Sequence, residues 1–202
     1  MIAPKTVKRT LAGVVGLAAA IGLMTSTPLE ESGRTVAATP RADTSIALRH
    51  VRGPEYLAAY ADVVGVWTIC DGLTSGVRRG QIEKREGCER RLEADLVRHA
   101  DEVLACVPEL RAPGRDHQRW AFVSLAYNIG AGRTCTSTAA RRYRAGQWVA
   151  ACDAFDMWSK AGRPLKRLRG LVLRRERERQ ICLTGLPGYP ATTLDERLKA
   201  VR

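Results

Sequence analysis

The sequence has no Cys-x-x-Cys pair, and its three histidines, His50, His99 and His117, do not stand at ligand spacing with two cysteines. That argues against a zinc site. It carries no zinc-finger, RNA-binding or other nucleic-acid signature, so a net charge of +12 is not by itself evidence for a nucleic-acid partner. No internal repeat is present. A strongly hydrophobic run is lacking too, because the uncharged stretch 10–29 is diluted by Gly, Ala and Thr.

What is present is enough for one domain with short extensions: 202 residues, 45% of them apolar and 27% charged. Lys5, Lys8 and Arg9 precede the run 10–29, whose 20 residues could just span a bilayer. A basic flank followed by an apolar segment reads as an export signal, either a cleaved peptide or an anchor. The six cysteines, Cys70, Cys88, Cys106, Cys135, Cys152 and Cys182, are an even count in a chain that looks exported. They suit disulfides in an oxidising compartment, with every pairing open. The basic balance then fits attraction to an anionic cell envelope.

Along the chain, residues 1–29 read as the signal segment, 30–43 as a polar linker, 44–186 as the folded domain and 187–202 as a tail. A short helix is expected at 44–53, stopped by Gly53-Pro54. From Tyr56 to Thr74 the β-formers Val63, Val64, Val66, Trp67, Thr68 and Ile69, closed by Asp71-Gly72, predict a small antiparallel hairpin. Residues 82–107 are amphipathic with helical spacing. A helix capped by Asp116 is apolar almost all round from Trp120 to Tyr127, and so is the buried centre of a helical lobe. Shorter helices follow, one capped at Ser137 or Thr138 and one around Trp148, Cys152, Phe155 and Trp158. A last helix carries Leu168, Leu171, Val172, Ile181 and Cys182 beside the charged run RRERER, a solvated face with i,i+4 pairs.

Tyr60, Asp62, Gly65, Val66, Trp67, Thr68, Gly72 and Thr74 stand at the spacing D-x-V-G-V-W-T-x-C-x-G-x-T. In this the chain resembles the phage-type lysozymes, muramidases of glycoside hydrolase family 24. SLAYNIGAG (124–132), MWSKAG (157–162) and GLVLRRERERQIC (170–182) extend the resemblance over residues 45–186. It implies an α+β, lysozyme-like fold: a hairpin-sheet lobe joined by a long helix to a helical lobe, with a saccharide cleft between. It also implies hydrolysis of the β-1,4 link between N-acetylmuramic acid and N-acetylglucosamine, with peptidoglycan as partner, no cofactor, no nucleic acid and a monomeric state. Several endolysins of this type keep the apolar segment as a signal anchor that later leaves the inner membrane for the periplasm.

Glycosidic hydrolysis usually employs two carboxyls, one protonating the leaving oxygen and one remaining ionised. Asp62 and Thr68 match the family positions that handle the water, although an Asp beside Val-Val-Gly is also an ordinary turn residue. The family's acid stands nine residues before that Asp, and here the position is Gly53. Glu55, two residues later, is the first substitute acid and equally a loop carboxylate; His50 is a further donor. Tyr127 and Asn128 have side chains suited to sugar hydroxyl and N-acetyl groups, or to packing and capping the central helix. The competing reading of Gly53 is a membrane-anchored, lysozyme-fold protein that binds glycan or a partner without cutting it.

Overall fold

A computed structural model describes residues 9–62 and 65–189. Lys5, Lys8, Val63, Val64 and most of the expected tail lie outside the described residues.

The apolar N-terminal segment is folded into the domain. Thr10 caps a five-residue helix α1 (Leu11–Val15), its side chain accepting from the Gly13 N–H. Gly16, at φ 88°, turns the chain into α2 (Leu17–Ser32), which closes at Gly33 in the left-handed region. Leu11, Val15, Ala19, Ala20, Leu23 and Met24 are all at most 1% exposed and share a core with Leu92 and Leu96 of α3 (Arg85–Cys106) and Trp120 and Val123 of α4 (Asp116–Ile129). Gly22 makes this possible: the Trp120 indole lies so close that a Cβ there would come within 2.5 Å of the ring. One turn on, Ser26 accepts the Trp120 Nε1–H at 3.1 Å. The chain end of α1 is tied by Arg119 Nε to the Val15 carbonyl at 2.7 Å and its start by the Leu11 N–H to Glu93 at 3.2 Å. No helix among the described residues is long and apolar enough to cross a membrane.

The expected linker and first helix are a β-hairpin instead. Strand β1 (Thr35–Pro40) pairs antiparallel with β2 (Ile46–Arg52), so the boundaries expected at residues 29 and 43 fall inside α2 and the hairpin turn. The strand is chosen by partnership. Pairing of Val36 with His50, Ala38 with Leu48 and Pro40 with Ile46 sets Val36, Ala38, Ile46 and Leu48 on the face toward α2, while Arg49 and Val51 face solvent. Asp43 holds the turn, its Oδ1 accepting from the Ser45 N–H and hydroxyl.

Most of the remaining elements follow the sequence expectations, but the run RRERER is not a solvated face: Arg174, Arg175 and Glu178 are at most 5% exposed, their charges paired in the interior. A minimal hairpin, β3 (Tyr60–Ala61) with β4 (Trp67–Thr68), forms the small sheet lobe around Ile69, Cys70, Leu73 and Cys88. Helix α3 leads to α4, whose residues Trp120 to Ala126 are at most 5% exposed. Around it pack α5 (Ala131–Thr136), α6 (Thr138–Arg144), capped by Ser137, α7 (Trp148–Asp153) and α8 (Arg169–Leu183). The stop at 161–164 is a third hairpin, β5 (Lys160–Ala161) with β6 (Lys166–Arg167). All six cysteines are bonded, Cys70 to Cys88, Cys106 to Cys135 and Cys152 to Cys182. The first ties the hairpin lobe to α3; the third ties α7 to α8.

The Gly22 contact makes a direct prediction. Gly22→Val drives side-chain atoms into Trp120 and destabilises the fold by about 1–3 kcal/mol, the usual cost of overpacking a filled core, read from denaturant midpoints at unchanged slope. Wild-type stability in that variant would mean α2 does not pack there.

Candidate active site

Two consecutive carboxylates end α2. Glu30 is gripped by Arg177, with Nε to Oε1 and Nη2 to Oε2 both at 2.6 Å. Glu31 receives the Arg174 Nη1 at 2.7 Å with its side chain 20% exposed. It lies over the turn that follows β4: a methyl group added to Gly72 would stand 3.2 Å from Glu31 Cβ and 3.3 Å from Oε2. The free Cα of glycine is what admits the carboxylate there. Arg174 is shared, its Nε reaching Glu178 Oε1 at 3.3 Å, and Glu178 also accepts the Ser124 hydroxyl at 2.7 Å. Burial opposes the Arg174 charge, but Glu31 and Glu178 together outweigh it and hold its pKa above the usual value.

Asp62 and Thr68 are brought together through one residue. Asp62 Oδ1 accepts the Val66 N–H at 2.8 Å, and the Thr68 hydroxyl donates to the Val66 carbonyl at 3.1 Å. Thr68 is buried and paired in register with Tyr60. The Tyr60 phenol reports what surrounds it: burial first, then the acidic groups Tyr56, Asp62, Glu31 and Asp71 raise its pKa. Asp62 and Glu31 are both among the charges around this ring, although 31 positions separate them in sequence.

Glu55 has no such freedom. Arg85 donates to both its oxygens, at 2.6 to 3.1 Å, while Arg34 and His50 Nδ1 lie 4.0 and 3.8 Å away. The Arg85 hydrogen bond, against a burial penalty and with help from the charges of His50, Arg85 and Arg34, holds its carboxyl below the ordinary value. The Arg85 pairing favours the ionised form of Glu55, the opposite of what a proton donor requires. His50 sits on the same ion cluster, half-buried on β2. Gly53, at φ 96°, closes the base of the first hairpin, where a Cβ would meet the Gly33 carbonyl oxygen at 2.5 Å. A Glu cannot stand at that position without displacing the hairpin.

Tyr127 and Asn128 end α4 on two sides of the site. The Tyr127 hydroxyl donates to the Asp71 carbonyl at 3.3 Å, and its ring meets His99 edge-on; burial, then Glu31, Asp95 and Asp71, push its pKa far above the usual tyrosine value. It is a packing and tethering residue as much as a cleft residue. Asn128 Oδ1 accepts from Arg175 at 2.9 Å, and the residue lines an open groove of about 530 Å³ with Arg133, Trp158, Lys160, Leu165 and Leu171. An amide, an indole and two cations along one groove suit a polar, anionic saccharide.

A sequence model of the phage lysozyme family matches residues 54–178, more than half of the chain. The chain belongs to the phage lysozyme family. It is 38% identical over 136 residues to a SAR-endolysin of Enterobacteria phage P21, covering 67% of this chain and 79% of that one. Among solved structures it is similar to a lysozyme of phage P22 (36% identity, TM-score 0.54, 64% of this chain and 88% of that chain). It is also similar to an endolysin of Escherichia coli phage FAHEc1 (29% identity, TM-score 0.58, 68% and 87%). As a phage lysozyme the protein is a peptidoglycan-degrading muramidase, a glycoside hydrolase of the α+β lysozyme-like fold. The match of this phage lysozyme to its family begins at residue 54, after the first hairpin, so Glu31 lies outside it.

Sequence reasoning missed Glu30, Glu31, Asp71 and Arg174. The available signal was the pair Glu30-Glu31 followed by Gly33, a helix end with its glycine cap, in a stretch read as linker.

The ionised Glu55 has a consequence for stability. A carboxyl whose folded pKa lies below its unfolded value stabilises above the ordinary value of 4.5 and loses that contribution as pH falls through the folded value. The stability difference between wild type and Glu55→Gln is expected to be constant above pH 4.5 and to shrink below it. A difference that grows toward acid pH would contradict the ion pairing.

Proposed function

We propose that this muramidase cuts the β-1,4 bond between N-acetylmuramic acid and N-acetylglucosamine with Glu31 as general acid and Asp62 with Thr68 on the water side. The carrying observation is the position of Glu31 over Gly72, in electrostatic reach of the same Tyr60 hydroxyl as Asp62. Spacing supports it. Glu31 and Asp62 are 31 positions apart (62 − 31), and the family spacing of nine leaves a surplus of 22 (31 − 9). The first hairpin absorbs that surplus and returns to its origin, since Gly53 approaches Gly33 and Arg34. With 35–56 set aside, Glu31-Ser32-Gly33-Arg34 runs into Leu57-Ala58-Ala59-Tyr60-Ala61-Asp62, and Glu31 stands nine before Asp62. Glu55 has no comparable support.

In this mechanism Glu31, on a helix end with one face open, delivers its proton to the departing glycosidic oxygen. Asp62 stays ionised, its Oδ1 fixed by the Val66 N–H, and orients water or stabilises positive charge on the sugar. Thr68 is held through Val66 at the same point. Arg174 fixes the Glu31 rotamer. The glycan runs along the groove past Asn128 and Trp158.

The protein acts in the periplasm after export by its apolar N-terminal segment, and membrane insertion holds it inactive. That segment and α2 are the same residues, so a chain with residues 10–29 in the bilayer has no α2 against Trp120 and no Glu31 over Gly72. Activity is expected only in the fraction released from membranes; equal activity in the membrane fraction would refute this control.

The decisive test is release of reducing ends from purified peptidoglycan by the full chain. Glu31→Gln and Asp62→Asn are expected to lose about 10²–10⁴-fold in rate, and Glu55→Gln to remain within severalfold of wild type. An inactive Glu55→Gln beside an active Glu31→Gln would reverse the assignment. A wild-type protein that binds peptidoglycan without cutting it would sink the enzymatic reading altogether.

A further inference from the structure

We propose that Arg34 and Asp71 are positioning residues for catalysis: a buried fork that fastens the end of the acid's helix to the turn over which the acid lies. The proposal rests on Glu31 being that acid. Arg34 Nε donates to Asp71 Oδ1 at 2.9 Å and Nη2 to Oδ2 at 2.5 Å, with side chains 9% and 2% exposed. The Ser32 hydroxyl lies 2.8 Å from the same Oδ1 and 2.8 Å from the Pro28 carbonyl, two acceptors that share its one proton. Two residues that flank the helix cap thus converge on one carboxylate, and Asp71 immediately precedes Gly72, on which Glu31 rests.

Asp71 is also anchored from its other sides. Its carbonyl accepts the Tyr127 hydroxyl from the helical lobe, and its neighbour Cys70 is bonded to Cys88 on α3. Helix end, hairpin lobe and α4 therefore meet at a single residue.

Stability alone does not explain such a pair. Removing two charges from water costs about what their attraction returns, and an apolar pair often holds a fold as well. What the guanidinium–carboxylate fork adds is orientation, two parallel hydrogen bonds that fix angle as well as distance. This chain has a particular use for it. The first hairpin lengthens the connection between Glu31 and Asp62 by 22 residues, so the short covalent tether is gone, and a rigid non-covalent link between the ends replaces it. A misplacement of about 1 Å at a reacting centre is enough to cost on the order of 100-fold in rate.

The test is steady-state hydrolysis of purified peptidoglycan by the full chain, with unfolding measured on every variant. Asp71→Asn is expected to lower kcat about 100-fold with KM nearly unchanged. Arg34→Lys, which keeps the charge and loses the fork, is expected to lower kcat about tenfold and serves if Asp71→Asn does not fold. The double variant Arg34→Met with Asp71→Leu is expected to regain stability and not kcat. In a Glu31→Gln background, Asp71→Asn is expected to add no further loss. If the apolar double variant recovers kcat together with stability, the pair only holds the fold and the proposal is overturned. Wild-type kcat in Asp71→Asn beside an inactive Glu31→Gln overturns it too, and leaves the acid assignment standing. An active Glu31→Gln removes the acid assignment, and the positioning role goes with it.

Discussion

Everything at this site depends on the seating of α2 against the Trp120 indole. The contact is between a helix backbone and an aromatic face, possible because Gly22 has no side chain and Ser26 accepts the indole N–H. It sets the depth and rotation of a helix whose last turn carries Glu30 and Glu31. Once α2 is seated, Arg174 and Arg177, one turn apart on α8, each take one of the two carboxylates. The buried charges then follow from packing, since α8 lies on α4 through Ser124 and Glu178. An apolar contact far from the chemistry decides where the carboxylate stands.

The first hairpin shows how a chain can carry a long excursion between the two carboxylates of the proposed site, Glu31 and Asp62. Loop closure costs grow only slowly with length, by about 0.6 kcal/mol per doubling. The hairpin offsets that cost by burying Ile46 and Val36 against α2 and pairing its own backbone. Its two ends meet at Gly33 and Gly53, both at positive φ and close enough that a Cβ on Gly53 would overlap the chain opposite. In space the insertion is an excursion that returns to its start. In sequence Glu31 and Asp62 stand 31 positions apart, and residues 35–56 are 22 of those between them.

That difference explains what was legible in the sequence. Elements with a strong local signal were read correctly: the all-round apolar α4, the amphipathic α3, the Ser137 cap and the β-formers around Val66 and Thr68. Their pattern is written within a dozen residues. Residues 44–53 suit a helix as well as a strand, because Ile46, Leu48 and Val51 fit a loose helical face, and the arbiter, β1, lies in a polar stretch with the composition of a linker. The cysteines showed that disulfides would form; the pairings required knowing that Cys70 faces α3 and Cys152 faces α8. Glu31 was out of reach for a different reason. On the proposed assignment, counting back nine positions from Asp62 assumes an uninterrupted chain and arrives at Gly53, beside Glu55.

The N-terminal segment carries the most constraint per residue. To enter a bilayer it must be uncharged for about 20 residues. To serve as α1 and α2 it must also turn at Gly16, admit an indole at Gly22 and bury only one side against the core. Strong hydrophobicity would satisfy the first demand and defeat the others, since a segment of uniformly large side chains could not approach Trp120 and would lose more on leaving lipid. A run diluted with Gly, Ala, Ser and Thr is small enough to pack, and under the proposed export route it is also the part that enters the bilayer. No helix among the described residues is long and apolar enough to cross a membrane, and the small side chains that dilute this run are what let it pack against Trp120.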